Sequence, residues 1–349
     1  MIWTKEYVDD LKTASKIGLP WERFKNKRIL ITGATGLIGS CLADLLIVVN
    51  NIYDLSMKVY LMSRNKNKIK ERFRHFDEDE YVVLEQDIRT QIAEELVFDY
   101  IVNTASNAHP IAYAKDPVGT LTGNILGLYN ILEKAVMCGA ECVIELSSSE
   151  VYGMKSNDDY VFLENEYGVV DCNRVRASYP EGKRACEALC QGYIDQYGLK
   201  VMILRPGRIY GPTMTLEDTK ATAQFIRSAV NNKDIILKSD GEQMFSFGYM
   251  LDVATAILYL IFKGKNGEAY NVSDKNSVLK LKELASIAAQ ISGCKVRFDI
   301  PNINEAKGFS NTPGMVLDCT KLEALGWKAK TNIKEGLMKT MTILSKEGY

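Results

Sequence analysis

Histidine is almost missing from this chain: there are two, His75 and His109, among 349 residues. That supply argues against a histidine-rich metal site and against a Ser-His-Asp hydrolase, both of which need imidazole at fixed positions. Long apolar runs are missing too. Stretches such as Ile29 to Ile31 or Cys41 to Val49 fall far short of the roughly 18–20 residues that cross a bilayer, and acids appear early at the N-terminus. Neither a membrane span nor a signal peptide is expected, and no membrane partner. An excess of one charge is also absent. Lys plus Arg number 43 against 44 Asp plus Glu, so no broad basic surface for nucleic acid or anionic lipid is implied, and a substrate must be recognised locally. Nor is there a disulfide framework. The eight cysteines are scattered, and the pairs Cys138/Cys142 and Cys186/Cys190 have helical spacing rather than the C-x-x-C spacing of zinc or redox sites. Reduced, mostly buried thiols in a cytoplasmic protein without bound metal are expected.

What is present is an ordinary globular composition, 46% hydrophobic and 25% charged, long enough to bury a sizeable core. Residues 1–27 read as a polar amphipathic helix and a Pro20-Trp21 turn, packed on the core or on a neighbouring subunit. From Arg28 onward short apolar runs alternate with helical stretches: Ile29 to Thr32, Lys58 to Met62, Tyr81 to Leu84, Tyr100 to Asn103, Cys142 to Leu146 and Lys200 to Leu204. Runs this short and apolar on both faces predict a parallel sheet covered on both sides, a doubly wound α/β Rossmann architecture. Residues 28–212 form that domain, with 242–272 returning to it. Residues 213–241 and 273–349, with helical patterns at Ala221 to Val230 and Leu279 to Ile291, form a smaller C-terminal substrate lobe.

Gly33, Gly36 and Gly39 follow the first strand and precede a helix over Ser40 to Val49. Glycine there permits a tight turn and a close approach of backbone to pyrophosphate, and the helix N-terminus supplies free N–H groups. The strand before and the helix after are the context that distinguishes a dinucleotide site from a mere tight turn. At the end of the second strand, where an acid usually reads the adenosine ribose of NAD, this chain has Ser63-Arg64. A hydroxyl and a guanidinium suit a 2′-phosphate, so among NAD(P)(H) cofactors the reading leans to NADP(H). Asp87 and Ile88, beyond the third strand, are candidate adenine contacts.

Tyr179 and Lys183 share a helical face, and Ser178 with Glu181 predicts a capping box that starts this helix. A free tyrosine titrates at about pH 10, and bringing it near neutrality takes about 4 kcal/mol, which a neighbouring ammonium and a cationic nicotinamide can supply. Lys183 would also hold the nicotinamide ribose. The serine run Ser147-Ser148-Ser149 ends the strand Cys142 to Leu146, where ligand contacts cluster in open α/β sheets. Ser148 is the hydroxyl expected to meet the substrate oxygen that Tyr179 serves, and Glu150 stands next to the run.

With these residues in place, the chain resembles the extended short-chain dehydrogenases/reductases, the NAD-dependent epimerase/dehydratase group that acts mostly on nucleotide-activated sugars. The likeness rests on TGATGLIG, NTASNAHP, LTGNILGLYNILEKA, ELSSSEVYG, YPEGK and LRPGRIYGP, and spans nearly everything after residue 27. SSSEVYG with YPEGKRACEALC is most similar to UDP-glucuronate decarboxylases and, next, to sugar-nucleotide 4,6-dehydratases. The resemblance implies Tyr179 as base at the sugar C4 hydroxyl, Lys183 as its partner, Ser148 as hydroxyl contact and Glu150 as a second acid/base. It implies further cofactor contacts at Thr35, Leu37, Ile38, Thr104, Ala105, Ser106, Asn124, Ser147 and Pro206, a homodimer, and a nucleotide-activated sugar as substrate. Ser149, a substrate-side position, replaces the aspartate of many deoxythymidine-linked dehydratases, which counts against that subtype. The family's diphosphate arginines are missing at Phe245 and near Met315. Arg208, replacing a usual asparagine, is expected to compensate, with Arg227 or Lys238. His109, in the loop after the fourth strand, either caps a backbone group, the reading preferred, or positions cofactor or substrate. A stoichiometric NADPH-dependent reductase or dehydrogenase of a nucleotide-linked sugar or polyol and a non-catalytic dinucleotide-sensing regulator are the competing readings.

Overall fold

The computed structural model of the chain describes residues 2–108, 110–155, 160–300 and 314–346. The six apolar runs, with a seventh strand at Ala269–Val272 that was not among them, form a seven-stranded sheet with parallel pairing throughout. Its strands are β1 (Arg28–Thr32), β2 (Lys58–Ser63), β3 (Val82–Glu85), β4 (Tyr100–Asn103) and β5 (Cys142–Leu146), then Val201–Pro206 and Ala269–Val272. In space the order is β3, β2, β1, β4, β5, Val201–Pro206, Ala269–Val272. Both faces are covered, which is why the strands are apolar at successive positions rather than alternate ones. Leu30, Ile101, Val143 and Val201 pack with Leu128, Ile131, Cys186 and Cys190 on one side. Ile29, Ile31, Val102, Ile144 and Met202 pack on the other with Leu42, Leu45, Ile257 and Leu260. Each such fully buried Ile or Leu stabilises the fold by about 1.5–3 kcal/mol relative to exposure. Cys186 and Cys190 are core side chains there, and all eight cysteines are free thiols.

The covering helices are α1 (Lys5–Ala14), α2 (Leu37–Tyr53), α3 (Lys66–Arg72), α4 (Pro110–Lys115), α5 (Pro117–Cys138), α6 (Ser178–Tyr197) and the helix Met250–Lys263. The expected N-terminal extension is a working part of this core. Tyr7 and Leu11 of α1 are fully buried, and the Tyr7 hydroxyl donates to Asp44 of α2 at 2.7 Å. Asp44 is itself fully buried and takes Arg72 as its ion partner, so the carboxylate inside the helix layer is paired, as burial of a charge requires.

The smaller lobe holds helices Ala221–Val230, Leu281–Ser292 and Ile333–Ser345 and a sheet of Val278–Lys280, Met244–Tyr249, Gly314–Leu317 and Val161–Phe162, with Arg208–Tyr210 paired to Met244–Tyr249. Three segments differ from the sequence reading. The segment Met244–Tyr249 joins the lobe's sheet, and the return to the large domain begins with the helix at Met250; Val161–Phe162 and Arg208–Tyr210, both expected in the large domain, pair with the lobe's strands. Helix α6 begins at Ser178 after a 3-10 turn over Val175–Ala177, so Ser178 lies inside the helix and caps nothing. Glu181 pairs with Arg184 instead of reaching back to the helix start. No helix among the described residues is long and apolar enough to cross a membrane.

Candidate active site

The strand order reverses between β1 and β4, so the loops that leave these two strands run apart and open a crevice at the carboxyl edge of the sheet. The glycines shape its floor. Gly33 has φ +62°, and a Cβ there would stand 2.8 Å from Ala105 Cα; one at Gly39 would stand 2.5 Å from Thr104 Oγ1 and 2.6 Å from the Gly33 carbonyl oxygen. Both positions therefore need glycine to let the β1 turn, the β4 loop and α2 close on each other. Gly36 differs in kind. It is the N-cap of α2 and offers no side-chain acceptor, so the first N–H groups of this helix of 17 residues are left for an anion in the crevice.

Two adjoining hollows share Gly36, Thr104 and Ser106. Gly33, Thr35, Ser63, Arg64, Asp87, Ile88, Ala105 and Asn124 line the first. Leu37, Ile38, Gly39, Ser147, Ser148, Ser149, Glu150, Tyr179, Lys183, Pro206 and Arg208 line the second. The first runs from the glycine turn past the ends of β2 and β3. Asn124 accepts from Ser106 Oγ at 2.8 Å through its Oδ1, while its buried Nδ2 has no partner among the described residues and is free to donate. At the end of β2, Arg64 has no ion partner among the described residues, whereas Asp87 is bound to Arg89 at 2.7 Å. The Arg89 guanidinium, helped by Arg64, holds the Asp87 carboxyl down at about 2.

In the second hollow α6 and the turn after β5 bring the candidate catalytic groups together. Tyr179 and Lys183 are 7% and 2% exposed, and the Tyr179 ring stacks on Tyr113 of α4 with centroids 5.4 Å apart. Burial raises the phenol above its ordinary value, against the opposing pull of the Lys183 ammonium and the Ser148 hydroxyl. In the protein alone, then, desolvation outweighs the one of the two expected cations that is present, the Lys183 ammonium. Lys183 Nζ donates to Glu145 Oε1 at 3.0 Å and to the Leu146 carbonyl at 2.5 Å. Ser148 Oγ accepts from the Glu150 N–H at 3.2 Å, closing the turn that carries Glu150 to the wall, where its carboxylate lies 3.4 Å from Arg176.

Arg208 and Lys220 form the cationic end of this hollow. Arg208 lies over the Phe245 ring, 4.2 Å from its centroid, and Phe245 is paired with Met315 across the lobe's sheet. The two positions without the family's arginines are thus neighbours, and the Arg208 guanidinium sits on one of them. Among the described residues it has no hydrogen-bonded acceptor, and burial lowers its pKa, as it does that of Lys220. The structure does not bring Arg227 or Lys238 to either hollow. Arg227 ties down a loop by donating to the carbonyls of Leu216 and Asp218, and Lys238 is exposed. His109 lies outside the described residues. Tyr113, Arg176, Lys220 and Glu145 line or underlie the site without having been singled out in the sequence. For Glu145 a signal existed, a carboxylate inside the apolar run Cys142–Leu146 just ahead of the serines.

The family model of the NAD dependent epimerase/dehydratase family matches residues 29–273. UDP-glucuronic acid decarboxylase 6 of Arabidopsis thaliana is 30% identical over 319 residues, covering 89% of this chain and 87% of that protein. UDP-glucuronic acid decarboxylase 5 of the same plant is 31% identical over the same span, with the same 89% and 87% covered. Among solved structures, the UDP-glucuronic acid 4-epimerase of Bacillus cereus in complex with UDP-glucuronic acid and NAD superposes with a TM-score of 0.76 at 22% identity, over 92% of this chain and 100% of that one.

Proposed function

The chain belongs to the NAD dependent epimerase/dehydratase family, and from that premise we propose that it oxidises C4 of a nucleoside-diphosphate sugar, with Tyr179 as base, and rearranges the 4-keto sugar before the hydride is returned. The observation that carries this reading is the convergence of Tyr179, Ser148, Lys183 and Glu150 on the wall of a hollow that begins at the glycine turn. Bound there, a dinucleotide would supply the hydride-acceptor and hydride-donor chemistry needed at C4. The N–H groups at the start of α2 hold its pyrophosphate, with Thr35, Leu37 and Ile38 around them. Ser63 and Arg64 take a 2′-phosphate, which favours NADP(H), and Asp87 and Ile88 border the adenine.

Tyr179 accepts the O4 proton, and Ser148 donates to O4 and to the ketone that follows. Proton transfer of this kind contributes about 10²–10⁴-fold. A C4 ketone acidifies C5–H and makes a C5 carboxylate a β-keto acid, so either a C5 proton or carbon dioxide can depart while the enolate oxygen is held by Tyr179 and Ser148. Glu150 delivers or removes the proton at C5. Arg208, with Lys220 beside it, binds the diphosphate in place of the arginines absent at Phe245 and Met315. Homodimerisation is proposed through α5 and α6, which expose Leu126, Tyr129, Met137 and Tyr197.

A second reading, a stoichiometric NADPH-dependent reductase, is favoured by the Ser63-Arg64 end of β2 alone. Incubation with UDP-glucuronate and related nucleotide sugars, followed by mass spectrometry of the products, tests the choice. A changed sugar with constant nicotinamide absorbance supports the retained-cofactor reading. Consumption of NADPH in step with product supports the reductase and overturns the first.

A further inference from the structure

Glu145 is a fully buried carboxylate on β5, directly beneath the reacting groups. Its Oε1 accepts from Lys183 Nζ at 3.0 Å and its Oε2 from Asn103 Nδ2 at 2.6 Å, while Asn103 Oδ1 accepts from Thr32 Oγ1 at 2.6 Å. A chain of buried side chains thus links the ends of β1, β4 and β5 to the ammonium of α6. None of these groups is required to hold a dinucleotide, and a sheet core does not bury a carboxylate without cost. The ammonium has three protons. One is committed to Glu145 and one to the Leu146 carbonyl, so one is left for the hollow that Lys183 lines.

We propose that Glu145 is a positioning residue for the reaction, the counter-ion that clamps Lys183 so that a single N–H faces the hollow and that offsets the ammonium's attraction for a phenolate at Tyr179. This rests on the reading of Tyr179 as the base. The phenol is surrounded by Lys183 on its own helix, Glu145 on β5, Ser148 and Glu150 in the turn after β5, and Tyr113 on α4; Arg176 and Arg208 act on Tyr113 from farther out. Burial raises the Glu145 carboxyl above its ordinary value against the pull of Lys183 and Asn103, and Glu187 adds to the rise, its own charge being taken up by Arg205 at 2.5 Å and by the Ser147 hydroxyl. Of these, Glu145 alone is both in contact with the ammonium and close enough to act on the phenol directly. Glu145→Gln keeps the shape and hydrogen-bonding reach but removes the negative charge. The ammonium is then uncompensated, phenolate is favoured, and Tyr179 titrates lower.

The test is the pH midpoint of tyrosinate absorbance in the full chain saturated with NADP⁺, taken as a difference against the matching Tyr179→Phe protein. The expected result for Glu145→Gln is a midpoint lower by about one pH unit, and for Glu145→Asp, which retains the charge, an unmoved midpoint with a several-fold loss of kcat on UDP-glucuronate. A Gln midpoint equal to or above that of the unsubstituted protein overturns the proposal, as does a full kcat in the Asp protein. Should the Gln protein fail to fold, the Asp protein decides: displacement of its midpoint by more than about half a pH unit contradicts the counter-ion role. Turnover by Tyr179→Phe separates the two ideas. If it survives, the base assignment falls; if it is lost while the Gln midpoint stays put, only the role of Glu145 falls.

Discussion

In the protein alone burial disfavours a Tyr179 phenolate more than Lys183 and Ser148 favour it. Under the proposed function the remaining stabilisation would come from a bound cationic ring, which would couple proton removal to the presence of oxidised cofactor. Glu150 is in a different situation, with its side chain 29% exposed and its carboxylate 3.4 Å from Arg176. Separate roles predict separate defects. Glu150→Gln is expected to allow transient reduction of the cofactor by substrate while blocking exchange of the C5 proton with solvent deuterium; unimpaired exchange at C5 would show that another group moves that proton. Arg208 offers a third case, a guanidinium stacked on Phe245 with no acceptor among the described residues. Arg208→Leu should weaken UDP binding at least about tenfold, roughly 1.4 kcal/mol, with cofactor affinity unchanged. Calorimetry with UDP reads this directly, and an unaltered affinity would remove Arg208 from the diphosphate site.

Among the elements, α2 and its glycine turn do most to define the pocket. Gly39 is the tightest point, since a methyl there meets both Thr104 Oγ1 and the Gly33 carbonyl. Gly39→Ala is expected to push α2 away from the β4 loop and lower NADP⁺ affinity by an order of magnitude or more; fluorescence titration with unchanged affinity would show that the junction has slack. Elements of this kind were legible in the sequence, because a glycine triplet between an apolar strand and a helix leaves few alternatives. The strands were equally legible, since two-sided burial writes itself as continuous apolar runs from Ile29 to Thr32 or from Val201 onward. The start of α6 was not. Ser178 and Glu181 have the residue types of a capping box, but the 3-10 turn at Val175–Ala177 moves the helix start ahead of Ser178 and Arg184 draws Glu181 away. Glu145 was passed over for a different reason: its carboxylate stood in plain view inside the apolar run, but a strand pattern does not say which distant side chains, here Lys183 and Asn103, a buried charge will meet.

For the whole molecule, the site is assembled from both parts of the chain. The large domain supplies the glycine turn after β1, Ser148 after β5, and Tyr179 and Lys183 on α6, and the cation Arg208 leans over Phe245 from the smaller lobe. Such pairings across distant segments leave little trace in local pattern, which is why Arg227 and Lys238 drew attention as cations while Lys220 and Arg176 did not. The exposed apolar residues of α5 and α6 also belong to this scale. If that face joins two copies, sedimentation should give a dimer of the 39.1 kDa chain, and replacing Leu126 and Met137 by glutamate should give monomers; a native protein that sediments as a monomer would refute the interface. The claim on which all of this depends is that the Tyr179 phenol takes the O4 proton as C4 is oxidised. Its most direct test is rapid mixing of the NADP⁺-loaded protein with UDP-glucuronate while nicotinamide absorbance is followed through one turnover. The account predicts that reduced cofactor rises and decays in the unsubstituted protein and does not form in Tyr179→Phe, and reduced cofactor forming at the same rate in both would contradict it.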